Sequence, residues 1–448
     1  MLKKIVSLML VSIMVMLPLV GCQSQNSNTQ KSGKVGGKIS WLTASNAVQL
    51  KDYQSIFAEF TKDTGIKSNV MGVPYEQLYP KLQTMIASNQ TPEINSWGTE
   101  FVPWASRGAM TPLDSYISKD NFDMSQFNQK MVDSLKWNGK TWSIPTSMGT
   151  CVLFYNKDLF QKAGVTAPTH DWNNTDWTTD AFIKMAQELT LDKNGKNALD
   201  PNFDKNNIVQ YGVGGMQGWW FAPWYFGGDW TDDNVTKYTG DQEGAVKGLQ
   251  FESDLINKYH VEPSAQQTLS LAAGGNIFMT GKVAMQIDGN WGCTTLLDAK
   301  FKWDIAATPI GTNHSIVLFT DGFGIGGKSE NPDGGWEYIK WLYSDTQHYD
   351  EFLKASNAYM TIPALQSYQD KLKVILKGQY SGVDFDVMFN AVNDKDAKPV
   401  HMRYNANFNK LNEFINQQAI TPVLAGEITA QKALSAIKDN ANSIINTK

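Results

Sequence analysis

Residues 288–291 read Asp-Gly-Asn-Trp, which sets a carboxylate, an amide and an indole side by side. They follow Val283–Ile287, an apolar run that reads as a strand, and Gly289 permits a sharp turn at its end. An indole offers a flat apolar face, while Asp and Asn offer edges that accept or donate hydrogen bonds. Together they suit a ligand with C–H faces and hydroxyl edges; a tryptophan packed beneath the loop is the alternative. Gly214–Trp230 (GGMQGWWFAPWYFGGDW) repeats the theme, with Trp219, Trp220, Trp224 and Trp230 lying among glycines. Asp192–Asp200 (DKNGKNALD) places Asp192, Asn194 and Asp200 at positions 1, 3 and 9 of an EF-hand-like loop. That pattern wants Gly at position 6 and a bidentate Glu at 12, and here Gly195 stands at 4 and Phe203 at 12. A calcium loop and a hydrophilic turn around Asn194-Gly195 both remain open. There is no G-x-S-x-G, no H-E-x-x-H, no phosphate loop and no G-x-G-x-x-G after a strand. Histidines 170, 260, 314, 348 and 401 form no metal-ligand spacing.

Composition narrows the partners. The formal net charge is −5, from 39 basic and 44 acidic residues, and no basic run follows Lys31–Lys38, which argues against nucleic acid. Arg107 and Arg403 are the only arginines, so a polyanionic ligand, normally gripped by several guanidinium forks, is disfavoured. Aromatics are abundant, with 15 Trp, 16 Tyr and 21 Phe, most of them core by default; the fifteen tryptophans still exceed what packing alone asks, and many lie beside Gly, Asn or Asp. Cys151 and Cys293 are either two isolated buried thiols or a disulfide.

These groups need a scaffold, and the chain reads as alternating strands and helices. Lys38–Leu42 is a short strand. Tyr53, Ile56, Phe57 and Phe60 form a helical stripe that Gly65 stops. Ile66–Val73 is extended, and Leu78, Leu82, Met85 and Ile86 mark a second helix. Glu93–Ser96, Cys151–Tyr155, Val283–Ile287, Trp303–Ala307 and Phe323–Ile325 read as strands; Asn156–Gly164 and Trp336–Tyr343 read as helices. This order predicts an α/β fold with largely parallel sheets. No repeat of about 20 to 50 residues is present.

The N-terminus carries an address. Ile5–Val20 is apolar apart from Ser7 and Ser12 and too short for a comfortable membrane span. Leu19-Val20-Gly21-Cys22 resembles the lipobox of bacterial lipoproteins. The resemblance implies a signal peptide over 1–21, a diacylglyceryl group on the Cys22 thiol, and a cell-membrane, lipid-anchored location on the extracellular face. Residues 22–37 then form a flexible linker; Gln23–Gly37 holds a single aliphatic residue, Val35, and reaches roughly 20 Å as a random coil.

Four stretches in register resemble the extracellular solute-binding proteins of ABC sugar importers, family 1, which includes maltose-binding protein. They are Lys81–Ile94 (KLQTMIASNQTPEI), Gly139–Phe160 (GKTWSIPTSMGTCVLFYNKDLF), Gly275–Trp291 (GNIFMTGKVAMQIDGNW), and Ala306–Pro309 followed by Asp321–Gly327. The match runs from about Lys38 to Pro363. It implies two α/β lobes of the type II periplasmic-binding-protein kind, a hinge of crossing strands, and a ligand cleft between the lobes. By position, lobe one takes 38–148 and 319–358, and lobe two takes 149–318 and 359–448, with crossovers near Met148–Cys151, Val317–Asp321 and Tyr359–Pro363.

The resemblance also implies cleft residues. Trp291 stands where the family often places a stacking aromatic, with Asp288 and Asn290 beside it. Trp219 or Trp220 is expected in the cleft, and Trp224 and Tyr225 in the core. Thr43–Asn46, represented by Asn46, and Asn95–Glu100 occupy family cleft positions. Many relatives carry an aspartate near Ser96–Trp97; this chain has none there, which shifts the expectation to Trp97 and Glu100. Asp321 and Arg403 complete the set, and some relatives hold calcium near Asp192–Asp200. The implied function is a monomeric receptor that binds a neutral carbohydrate, an oligosaccharide by its supply of rings, and hands it to ABC permease subunits without a cofactor or catalysis. An exported glycoside hydrolase and a carbohydrate-binding surface lipoprotein are the rivals.

Overall fold

The computed structural model describes residues 35–216, 219–273, 275–356 and 360–447. Cys22 and the expected signal peptide lie outside them, as does Tyr359 of the third expected crossover. The fold begins slightly before the expected boundary at Lys38. The carbonyls of Gly36 and Gly37 accept hydrogen bonds from Asn331 Nδ2 (2.9 Å) and the Lys67 amide (3.0 Å), so the last linker residues are tied to the domain.

Strand β1 (Lys38–Ala44) leads into helix α1 (Ala47–Thr64). Asn46 caps α1: its side chain accepts the amides of Val48 and Gln49, and Gln49 returns a bond to the Asn46 backbone. The helix buries Tyr53, Ile56, Phe57 and Phe60, each worth about 1.5–3 kcal/mol of transfer free energy, and ends at Gly65 in the left-handed region (φ +80°). Strand β2 (Lys67–Val73) and helix α2 (Tyr75–Ala87) follow, then β3 (Ile94–Ser96). Strands β1/β2 and β1/β3 pair in parallel.

The remaining principal strands are β4 (Ile144–Asn156), β5 (Ile208–Met216), β6 (Val283–Gly289), β7 (Trp303–Ala306), β8 (Val317–Gly326), β9 (Ile362–Pro363) and β10 (Lys398–Pro399). The main path runs β2-β1-β3-β8-β4-β6-β5. β4 joins its two halves. All 13 of its residues are buried. Its first part, Ile144–Thr150, pairs with β8, and its second, Cys151–Asn156, pairs with β6 and β7. β9 adds to β4 at Met148, and β10 adds to β8 at Val317 and Leu318, so every chain crossing meets at one place.

The expected largely parallel sheet is corrected here. β4 runs antiparallel to β8, β6, β7 and β9, and β8 runs antiparallel to β3. A strand that crosses from one half-sheet to the other and is answered by another crossing back must meet it head to tail. No helix of the described residues is long and apolar enough to cross a membrane.

Candidate functional site

A cleft of about 880 Å³ opens where strands of both half-sheets end. Thr43 and Ala44 line it from the end of β1, Ser96 from the end of β3 and Glu100 from beyond it, Trp220 from beyond β5, and Trp291 from beyond β6. Ser147 and Gly149 of β4 and Phe319 and Asp321 of β8 face it where the crossing strands pass. A crevice at the carboxyl ends of strands is where open α/β sheets hold ligands, and the volume sits in the upper part of the roughly 300–1,000 Å³ range for small-molecule sites.

Trp291 is 40% exposed and stands edge-on to Phe319, centroids 5.4 Å apart at 73°. Two glycines make room for it. A Cβ at Gly149 would lie 2.7 Å from the indole, and one at Gly289 only 2.1 Å. Below it, Asn290 is fully buried: its Oδ1 accepts the Thr150 amide at 2.9 Å and its Nδ2 donates to the Met360 carbonyl at 2.5 Å. The loop after β6 is thereby stapled to β4, which holds the exposed indole in place.

The polar wall is charged. Arg403 Nη2 lies 3.4 Å from Glu100 Oε1, and its guanidinium carbon sits 4.9 Å from the Phe319 ring centroid and 5.3 Å from that of Trp220. Trp220 Nε1 donates to Asn412 Oδ1 at 2.9 Å, which orients its ring. Asp321 is open to cleft water yet surrounded by protein on most sides. That enclosure pushes its carboxyl up to about 6, against the opposing pull of a Ser147 hydrogen bond and the Arg403 charge, with Glu100 adding to the rise.

Four expected ligand residues serve the scaffold instead. Trp97 is fully buried and packs on Trp104 (5.5 Å), because the backbone turns after β3 and sends its indole inward; Ser96 and Glu100 on either side face the cleft. Asn46 spends its amide capping α1, and Gln49 one turn on lines the cleft. Asp288 is buried behind the loop, accepting the Gly289 amide (2.6 Å) and Gln286 Nε2 (3.1 Å). Asn290 is the staple just described. Trp224 and Tyr225 are core, as expected, while the Trp219 side chain lies outside the described residues.

The Asp192 loop departs from a calcium site. Asp192 Oδ1 accepts the amides of Asn194 and Lys196 (2.8 and 2.9 Å) and Oδ2 that of Asp204 (2.9 Å), so its carboxylate closes a turn in which Gly195 has φ +77°. Burial alone would raise this carboxyl; the amides outweigh it and hold it below the ordinary value. Asp200 caps the Asn202 amide and lies 3.8 Å from Lys196. Among the described residues, potential metal ligands gather as Glu59, Asp63 and His348, and as His314, Asp394 and Asp396; neither group belongs to this loop or lines the cleft. Cys151 and Cys293 are both buried free thiols.

Several cleft residues escaped the sequence reading. Tyr75, 60% exposed at the start of α2, stands edge-on to Tyr79, 6.4 Å away, and both line the cleft with Tyr53. Pro74-Tyr75 opening a helix was the available signal, since a large aromatic in a solvated first turn lacks a packing reason. Gln49, Ser147 and Phe319 carried none.

Two half-sheets crossed by shared strands, with an aromatic and polar cleft between them, define a bilobed solute-binding protein. The chain belongs to the bacterial extracellular solute-binding protein family, whose profile matches residues 44–349. A putative binding protein of Brucella abortus (strain 2308) is 23% identical over 337 residues, 71% of this chain and 74% of that one. The galactooligosaccharide-binding protein of Bacillus subtilis (strain 168) is 23% identical over 340 residues, 74% of each. Among solved structures, an ABC substrate-binding protein of Listeria monocytogenes in complex with cycloalternan aligns with a TM-score of 0.76 at 25% identity, over 92% of this chain and 100% of that one. The fold is therefore the two-lobe, maltose-binding-protein-like one, and membership places the chain among exported binding proteins.

Proposed function

We propose that this protein is the lipid-anchored receptor of an ABC importer and captures a neutral oligosaccharide in its interlobe cleft. The observation that carries the reading is Trp291, an indole held 40% exposed on the cleft wall by glycine clearances and a buried amide staple. A ring exposed at such structural cost stacks on a ligand face. Trp220 and Tyr75 offer further rings, and Asp321, Ser96 and Gln49 offer hydrogen bonds along hydroxyl edges. A galactooligosaccharide-binding relative and a structural neighbour holding cycloalternan support the ligand class. Lobe one comprises 38–148 and 319–358, lobe two 149–318 and 359–448, and Cys22 bears the lipid that keeps the monomeric receptor beside its permease. Dual acylation of that cysteine anchors stably where a single chain would not. No cofactor enters this reading, and the Asp192 carboxylate, which accepts three backbone amides, is not assigned to calcium.

A thermal-shift screen across mono- and oligosaccharides tests the ligand class. At 100 times its dissociation constant a ligand adds about 2.7 kcal/mol to stability. Tight binding to a monosaccharide alone would overturn the size assignment. A second reading rests on Asp321 and Glu100, two carboxyl side chains that line the same cleft. Paired carboxyls are what a glycoside hydrolase uses. Incubation with an oligosaccharide panel separates the two, since product release would mean catalysis.

A further inference from the structure

Arg403 sits in a short helix, His401–Tyr404, directly after β10 and therefore beside the crossing strands. It is 7% exposed. Its guanidinium carbon packs over Trp220 (5.3 Å), which follows β5, and over Phe408 (5.8 Å). Its Nη2 reaches Glu100, which follows β3, at 3.4 Å. Tyr404 repeats the pattern: its hydroxyl donates to the Ser134 carbonyl at 2.7 Å, and its ring stands edge-on to Phe101, 6.4 Å away. Asn405 ties the same segment the other way, donating to the carbonyls of Val235 (3.4 Å) and Ile445 (3.1 Å). Thus 403 and 404 grip the side of the cleft built on β3, while their own support comes from the side built on β5.

We propose that Arg403 and Tyr404 form a clasp across the cleft that biases the empty receptor toward closure, with Glu100 as its charged partner. This inference rests on the solute-binding reading of the cleft. Hinge closure around ligand is the common motion of bilobed binding proteins, and a bond that exists only when the lobes approach shifts the resting equilibrium. The apparent dissociation constant equals the intrinsic one divided by the closed fraction, so a clasp tightens every ligand by one common factor. Arg403 is on this account a positioning residue: it sets how often Tyr75 and Ser96, on the side built on β3, approach Trp220 and Trp291 on the other side of the cleft, and it does not read ligand identity. Its charge faces Glu100 and is spread over aromatic faces, which suits a partner across the cleft better than a ligand contact.

Small-angle scattering on the ligand-free protein decides it. Glu100→Gln keeps the side-chain shape and removes the ion pair. Its radius of gyration should exceed that of the parent, measured in the same buffer. Tyr404→Phe, which leaves Arg403 intact and deletes one hydroxyl, should expand the empty protein in the same direction and by less. In calorimetry against at least two oligosaccharides of different length, Glu100→Gln should weaken both by the same factor, about tenfold for loss of a charge-assisted contact. Equal empty-state dimensions in parent and Glu100→Gln would overturn the clasp. So would losses that differ between ligands, which would make Glu100 and Arg403 direct ligand contacts. The scattering arm needs no ligand, so it tests the clasp even if no carbohydrate binds, and that second failure would fall on the proposed ligand class alone.

Discussion

Trp291 owes its exposure to Gly149 and Gly289, neither of which tolerates a Cβ beside the indole. Replacing Trp291 by Ala removes a stacking face worth about 0.5–1.5 kcal/mol beyond its area, so oligosaccharide affinity should fall about tenfold with the melting temperature nearly unchanged, measured by calorimetry beside thermal melting. Gly149→Ala should reproduce the affinity loss by displacing the ring. Asp288 makes a different prediction. Burial pushes its carboxyl from near 3.8 up to about 6, against the opposing Gly289 amide. A group with a raised folded-state value favours the fold at low pH and loses that contribution as pH rises through about 6. Asp288→Asn should therefore be more stable than the parent at pH 7.5, by about 2 kcal/mol, and nearly equal at pH 4, as urea unfolding at both values will show. Asp288 and Trp291 are near neighbours in sequence with opposite fates, and composition alone does not separate them.

Elements were the most legible level. The stripe of Tyr53, Ile56, Phe57 and Phe60 and the stop at Gly65 reappear as the buried face and left-handed cap of α1. Periodicity and caps are local, so they survive without knowledge of the fold. Strand direction was not legible. β4 is buried along its whole length, and such a strand carries the same apolar run whichever way its neighbours point. Asn46 shows how an element can claim a residue expected at a site: its amide already accepts two backbone amides. Asn46→Ala should cost about 1 kcal/mol in chemical unfolding and leave ligand affinity within about twofold. Asn290→Ala should cost more, about 3 kcal/mol, because it orphans the buried Thr150 amide and the Met360 carbonyl together, and a much smaller loss in unfolding midpoint would refute the staple.

At the scale of the whole molecule, Cys151 lies on the seam between β4 and β6 and Cys293 opens a short helix just beyond β6; both are buried thiols whose ionisation burial opposes. With Cys22 replaced by Ser, neither should react with a thiol reagent until the protein is denatured, and prompt labelling of the native protein would mean that the seam opens. The order of motifs from Lys38 to Pro363, the alternation of strands and helices, and the supply of tryptophans were enough to define the class, because each is a property of neighbouring residues. Which rings reach the cleft was decided only by tertiary structure. Trp97 turned inward while Trp291 stayed exposed, and Tyr75, Gln49, Ser147 and Phe319 joined the cleft from segments with little chemical signature. The physical reason is distance along the chain. Trp291 is positioned by Gly149 and by a hydrogen bond between Asn290 and Thr150, 140 residues apart, and Arg403 meets Glu100 only after both half-sheets have formed.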